Sequence, residues 1–284
     1  MGVVRLGTSS WTAIGWERAF YPSGTGGSDR ISFYAHHFDT VEIDMTFYRI
    51  PAESMVLGWR DRTTESFRFA AKVPQSVTSH VVRSGGRVEE NPEFLSPEGL
   101  KRFVDRMNDL GPRMGPLLLQ FPYFPRQVFS GLGAFLPLLD DLLGLVPPQV
   151  RFALEIRNPS WFHPELFALL STHEVALALT DLTLTRKDGG KYGPPVGLQL
   201  LETHGEDALT TDFLYVRLLG DRWDIESRTD TWERVVRSRD REIHDWARLL
   251  EWTSRGGRDV FAYANNHYEG FAPETVRKIR HFWP

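Results

Sequence analysis

The stretch Arg151-Phe152-Ala153-Leu154-Glu155-Ile156-Arg157-Asn158-Pro159-Ser160-Trp161 reads as a buried strand that ends in charge. Along a strand, side chains two residues apart share a face. Phe152, Leu154 and Ile156 then fill one side, while Ala153, Glu155 and Arg157 line the other. An element this apolar is built to be covered, yet it delivers an acid and a guanidinium together to one place. The wall of an active site is made in this way when the strand belongs to a parallel sheet whose C-terminal ends carry the chemistry.

Working outward, short runs rich in β-branched and aromatic residues predict strands at 3–9, 40–47, 67–73, 115–121, 150–156, 175–180, 213–219 and 260–265. Helix-capable stretches at 31–38, 53–62, 97–110, 129–143, 164–173, 240–255 and 273–282 fall between them. Several strands are apolar on both faces, as in Pro116-Leu117-Leu118-Leu119-Gln120-Phe121, which suits parallel strands covered by helices. Alternation of this kind predicts an α/β protein, a TIM-type (β/α)8 barrel. An open doubly wound sheet is the other candidate, but neither G-x-G-x-x-G nor G-x-x-x-x-G-K-[ST] occurs. A length of 284 residues fits one barrel, residues 1–284 as a single domain, with no linker or solenoid repeat. Three polar stretches at 75–93, 186–206 and 221–238 each follow a predicted strand, so they are expected as long loops on the C-terminal rim.

Composition narrows the chemistry. There is no cysteine, which removes disulfides, thiolate catalysis and cysteine-ligated metals. No apolar run approaches the roughly 20 residues that span a bilayer, so no membrane partner is expected. The N-terminus, Met1-Gly2-Val3-Val4-Arg5-Leu6-Gly7, reads as a strand rather than a secretory signal, and a cytoplasmic location is the expectation. A net charge of -4, from 33 basic and 37 acidic residues, provides no general field for a phosphate backbone. The basic run from Trp232 to Arg241 is interspersed with acids and reads as a solvated helix face with i, i+4 pairs.

The chain resembles the domain-of-unknown-function-72 family, also called YecE-like. The carriers include Gly7-Thr8-Ser9-Ser10-Trp11, Phe20-Tyr21-Pro22, Thr46-Phe47-Tyr48-Arg49-Ile50-Pro51, Phe69-Ala70-Ala71-Lys72-Val73-Pro74, Gly115 to Pro122, Glu155-Ile156-Arg157 with Ser160-Trp161, Tyr215-Val216-Arg217-Leu218, and Asn265-Asn266 with Gly270. The resemblance covers almost the full length and implies a TIM-type barrel, without naming a reaction. Two positions depart from the family's usual pattern: Asp44 stands where Asn is usual, and Leu219 where His is usual. His80 is displaced by a residue from the place where the family carries a His after the third strand.

Placed on a barrel, Glu42, Asp44, Lys72, Gln120, Glu155, Arg157, Asp181, Arg217 and Asn265 all stand at or near strand C-termini. Glu42 and Glu155 are candidates for general acid and base, with Lys72 and Asp181 beside them as further catalytic candidates. Lys72, among Phe69, Ala71 and Val73, also has the surroundings in which a lysine pKa falls and a Schiff base forms. Arg157, Arg217 and Lys72 are suited to an anionic group, carboxylate or phosphate. Ser9, Trp11, Tyr48, Gln120, Trp161 and Asn265 complete a substrate-binding set, the aromatics by stacking on a sugar or base. The same charges read structurally as a buried network of ion pairs.

No cofactor is specified. A divalent metal, Mg or Mn ahead of Zn, is not favoured, because the three basic residues repel it and neither H-E-x-x-H nor His-x-His occurs. The expected activity is that of a hydrolase, lyase or isomerase acting by acid–base chemistry on a small polar anion, such as a sugar or nucleotide derivative. A nucleic-acid-binding or -processing barrel is the alternative, and a non-catalytic scaffold is the third. Sequence leaves the oligomeric state open.

Overall fold

A computed structural model of the protein describes residues 1–284 with the exception of 85, 183, 186–190, 193–196 and 284. Eight strands close into a barrel: β1 (Val4–Thr8), β2 (Thr40–Ile43), β3 (Arg68–Lys72), β4 (Met114–Gln120), β5 (Phe152–Glu155), β6 (Ala176–Leu182), β7 (Phe213–Gly220) and β8 (Asp259–Ala264). Every neighbouring pair is parallel, and β1 closes the ring between β8 and β2. After each strand comes a helix: α1 (Arg30–Ala35), α2 (Glu53–Asp61), α3 (Pro97–Met107), α4 (Leu132–Leu143), α5 (Pro164–Thr172), α6 (Gly197–His204), α7 (Asp240–Arg255) and α8 (Ala272–His281). The fold is a TIM-type (β/α)8 barrel, as alternation predicts.

The strands sort their side chains by face. Leu177, Leu179, Leu154, Val216 and Val260 join the main core between barrel and helices, whereas Ala153, Ala176, Ala178, Tyr215 and Tyr263 form a separate cluster inside the ring. Side chains thus alternate along each strand between the filled interior of the ring and the core under the helices. Helix starts follow from local chemistry. Ser96 accepts a hydrogen bond from the Gly99 amide at 3.0 Å with Pro97 in the first turn, and His163 with Pro164 opens α5 in a similar way.

Some expectations are corrected. Strand β2 ends at Ile43 rather than at residue 47, because Met45–Phe47 turns as a 3-10 helix and Thr46 Oγ1 donates to the Ile43 carbonyl at 2.9 Å. Loop 75–93 is not structureless, since it holds an antiparallel hairpin, Val81–Ser84 with Arg87–Glu90. Of stretch 186–206, residues 186–190 and 193–196 lie outside the described residues, and from Gly197 it is the helix α6. A Cβ on Gly197 would stand 2.6 Å from Leu179 Cβ, so glycine lets that helix sit directly on β6. The basic run does not form one helix face, because helix begins only at Asp240. Of its arginines, Arg239 points inward.

Among the described residues no helix is long and apolar enough to cross a membrane.

Candidate active site

At the C-terminal mouth, the inward positions of five strands meet in one chain of charge. Arg217 on β7 lies at its centre, 1% exposed. Its Nε and Nη2 donate to the two oxygens of Glu42 at 2.8 Å each, its Nη1 donates to Gln120 Oε1 at 2.9 Å, and Nη1 also meets Glu155. Tyr215 completes Glu42 by donating its hydroxyl at 2.7 Å. Burial and the Glu42 charge push the Tyr215 phenol well above its ordinary value, so it remains the donor.

The chain extends both ways. On one side Lys72 Nζ lies 4.0 Å from Glu42 and in direct contact with Asp44. On the other, Arg157 Nε donates to Glu155 Oε1 at 3.0 Å. Burial alone would raise the Glu155 carboxyl, but the guanidinium groups of Arg217 and Arg157 outweigh it and hold its pKa down to about 2. Glu155 is therefore anionic throughout the neutral range, which does not suit it to donate a proton. Glu42, Asp44 and Glu155 face Lys72, Arg157 and Arg217, so the formal charges balance.

Only the two ends of this chain reach solvent. Asp44 is 46% exposed by side chain and Arg157 is 31% exposed. Arg157 makes no second hydrogen bond among the described residues, so its outer nitrogens are free to bind. Asp44 borders a polar cavity of about 260 Å3 between β1, β8 and the loop after β7, lined by Ser9, Ser10, Thr12, Trp232, Asn265 and His267 among others. Asn265 caps the short helix Asn266–Glu269 by accepting from the His267 amide at 3.0 Å, which turns His267 into the cavity. The His267 ring lies 2.8 Å from Asn265 Oδ1 and 3.1 Å from Glu226 Oε1, and burial lowers its pKa against the pull of that carboxylate. Ser9 Oγ is buried and finds no hydrogen-bond partner among the described residues.

The expected site residues thus divide. Glu42, Lys72, Gln120, Glu155, Arg157 and Arg217 are joined in the network, while Ser9 and Asn265 line the adjoining cavity. Four residues go elsewhere. Asp181 shares its face of β6 with Leu177 and Leu179 and so points out of the barrel, where it accepts from Trp246 Nε1 at 3.4 Å and pairs with Arg239 at 3.3 Å. Trp161 is core, stacked on Phe135 at 5.1 Å and Phe124 at 5.7 Å. Trp11 packs edge-on against Trp59, and Tyr48 is exposed beside Phe47.

Sequence placed Asp44 at the barrel rim with the others but gave it no catalytic or binding role, and His267 was not among the expected site residues. Each was marked by the spacing that placed the others: Asp44 lies two residues beyond Glu42, and His267 two beyond Asn265. The segment 9–29 after β1, not counted among the long rim loops, supplies Ser10, Thr12 and Trp16 to the cavity. Among the described residues no group of three or more His, Asp or Glu side chains could hold a metal ion.

Comparison with known proteins places this geometry among relatives. The family described as "Protein of unknown function DUF72" matches residues 5–283. The UPF0759 protein YecE of Escherichia coli (strain K12) is 31% identical over 162 residues, 56% of this chain and 50% of YecE, so the matched stretch spans half of that relative's length. The UPF0759 protein YunF of Bacillus subtilis (strain 168) is 24% identical over 98% of this chain and 93% of its own. Among solved structures, a DUF72 family protein of Thermotoga maritima superposes with a TM-score of 0.70 at 23% identity, covering 98% of each chain.

Proposed function

Since the chain belongs to the family described as protein of unknown function DUF72, we propose from its geometry that the C-terminal mouth is the active site of an enzyme. Its substrate is a small, hydroxylated anion such as a sugar or nucleotide derivative, transformed by acid–base chemistry of the hydrolase, lyase or isomerase kind. The observation that carries this reading is the cavity beside Asp44, where a buried Ser9 hydroxyl has no partner among the described residues. An unpaired buried hydroxyl costs about 1–3 kcal/mol, and a substrate hydroxyl in that cavity removes the cost.

Roles follow from what each group has free. Arg157, anchored at Nε and open at its outer nitrogens, takes the anionic group through a guanidinium fork. Asp44, half-exposed on the cavity, is the proton acceptor, and Lys72, which touches it, positions its carboxylate. Glu42, Glu155 and Arg217 are positioning residues, because their hydrogen-bonding groups are engaged with one another. The substrate lies across the mouth, with its anion at the Arg157 end and its reacting end against Asp44.

A thermal-shift series with phosphosugars, sugar acids and nucleotides tests this reading. A ligand held at about one hundred times its Kd stabilises by about 2.7 kcal/mol, which in a chain of this size raises Tm by roughly 4–5 °C. The shift is expected in the wild type, absent in Arg157→Gln, and retained in Asp44→Asn together with loss of turnover. If no hydroxylated anion raises the wild-type Tm, the binding role of Arg157 is wrong.

A further inference from the structure

The opposite end of the barrel carries its own concentration of charge. Arg5 enters from β1, Arg68 from β3, and Arg151 from the residue preceding β5. All three line a cavity of about 290 Å3 at the N-terminal mouth, together with Gln149, Asp259 and Phe261. The guanidinium groups lie on an aromatic floor: Arg5 stands over the Phe261 ring at 5.3 Å and Arg151 over Phe213 at 5.3 Å. Those two rings meet edge to face at 6.0 Å, which closes the barrel interior beneath them. Cation–ring stacking fixes the planes of the guanidinium groups and leaves their edges to donate.

The charges here do not balance. Asp259 is the one carboxylate in the lining, and it is shared: Arg151 donates to it at 2.8 Å, the Val3 amide at 2.9 Å, and Arg5 stays 3.8 Å away. Arg5 Nη1 is buried without a hydrogen-bond partner among the described residues. Arg68 uses its Nη1 on the carbonyls of Glu65 and Phe67 and has no carboxylate within ion-pair reach among the described residues. Burial, then the neighbouring charges of Arg5, Arg113 and Arg151, lower the Arg68 pKa. Asp212, at the edge, pairs with Arg151 at 3.2 Å. Structural ion-pair clusters are stable when their charges cancel, as they do at the C-terminal mouth. Three guanidinium groups around one cavity, with one carboxylate among them, instead leave room for an anion.

We propose that the N-terminal mouth binds a phosphate dianion, either free inorganic phosphate or the phosphate of a small phosphomonoester. A tetrahedral dianion accepts from several guanidinium edges at once. It would supply the missing acceptor for Arg5 Nη1 and separate the like charges of Arg5, Arg68 and Arg151. The cavity exceeds what phosphate alone fills, which accommodates its water shell or a short organic substituent. The site is separate from the Arg157 end of the C-terminal mouth and does not depend on the reaction proposed there.

Calorimetric titration of the full chain with sodium phosphate and with glycerol phosphate, against sodium chloride at matched ionic strength, tests the proposal. One saturable equivalent that survives Arg157→Gln is expected. Arg68→Gln should weaken it about tenfold or more, the loss of one charge-assisted bond, while Arg157→Gln leaves it unchanged. Arg68→Lys, which preserves the charge and loses the fork, is the folding control and should bind between the two. Tighter binding of glycerol phosphate identifies the ligand as a carried phosphate, and tighter binding of inorganic phosphate identifies the free ion. Absence of saturable binding beyond chloride overturns the proposal. So does binding that disappears in Arg157→Gln and persists in Arg68→Gln, since this places the anion at the other mouth.

Discussion

A guanidinium removed from water needs several acceptors at once, and Arg217 obtains them from Glu42, Glu155 and Gln120 on three different strands. This arrangement changes what the two glutamates can do. The guanidinium groups of Arg217 and Arg157 keep Glu155 ionised, and the consequence can be measured. Its carboxyl is held at about 2 against an ordinary 4.5. A depressed folded-state pKa means that the stabilisation is complete above pH 4.5 and is lost as pH falls through 4.5 toward 2. The whole effect amounts to about 3 kcal/mol at 1.36 kcal/mol per unit. Urea unfolding of the wild type and Glu155→Gln should therefore show a stability gap that narrows steadily between about pH 5 and pH 3. A gap that stays constant over this range would mean that Glu155 is not held by its arginines.

At the scale of the strand, one parity rule decides which way a charge faces. In β5, Ala153 precedes Glu155 on the inner face, and the bulky Phe152 and Leu154 point to the helices. In β6 the same rule puts Ala176, Ala178 and Thr180 inside and Leu177, Leu179 and Asp181 outside. Asp181 was thus legible as an outward residue, although its place at a strand end suggests otherwise. There it holds Arg239, whose pKa stays raised despite burial because of the Asp181 charge, and it ties α7 to the barrel through Trp246. Asp181→Asn is expected to cost on the order of 3 kcal/mol in unfolding free energy, the penalty of leaving a largely buried guanidinium with only the half-exposed Glu242, 3.6 Å away, as its anion. Any ligand-induced Tm shift should persist. Loss of the ligand effect with stability intact would return Asp181 to the site. Trp161 illustrates a different limit: its ring lies among Phe124, Phe129 and Phe135, and no local pattern distinguishes an aromatic at a strand end that faces the core from one that faces a ligand.

For the molecule as a whole, closure of the ring is the decisive event, because the contacts of Arg217 at the mouth join strands that are distant in the chain. Strand β1 completes the ring, and Gly7 lies where it meets β2. A Cβ there would fall 1.9 Å from the Thr40 carbonyl oxygen and 3.1 Å from the Tyr34 hydroxyl. The same hydroxyl accepts from the Thr8 amide at 2.8 Å and donates to the Thr40 carbonyl at 3.1 Å, so it pins the closing pair. Gly7→Ala is expected to destabilise by roughly 3 kcal/mol or more, since backbone rather than a movable side chain must give way. An unchanged denaturation midpoint would show that the seam is looser than this contact implies. Closure also gives the barrel two electrically different ends, with three acids against three bases at one mouth and an excess of arginine at the other.

Sequence by itself determined the eight strands, seven of the eight covering helices and the inner face of β5, because apolar periodicity is a local property that burial on one side imposes directly; α6 was hidden in a polar stretch expected as a loop. Sequence also marked Glu42, Lys72, Gln120, Glu155, Arg157 and Arg217 as sharing one end of the barrel. Only the tertiary structure decided who pairs with whom, and therefore which groups are free. Glu42 meets Arg217 across 175 residues of chain, and Arg217 meets Glu155 across 62. Such contacts depend on ring closure and on the small lateral distances that it fixes, which no local pattern encodes. Those distances engage Arg217 fully, leave Arg157 and Asp44 open, and gather Arg5, Arg68 and Arg151 at the far mouth.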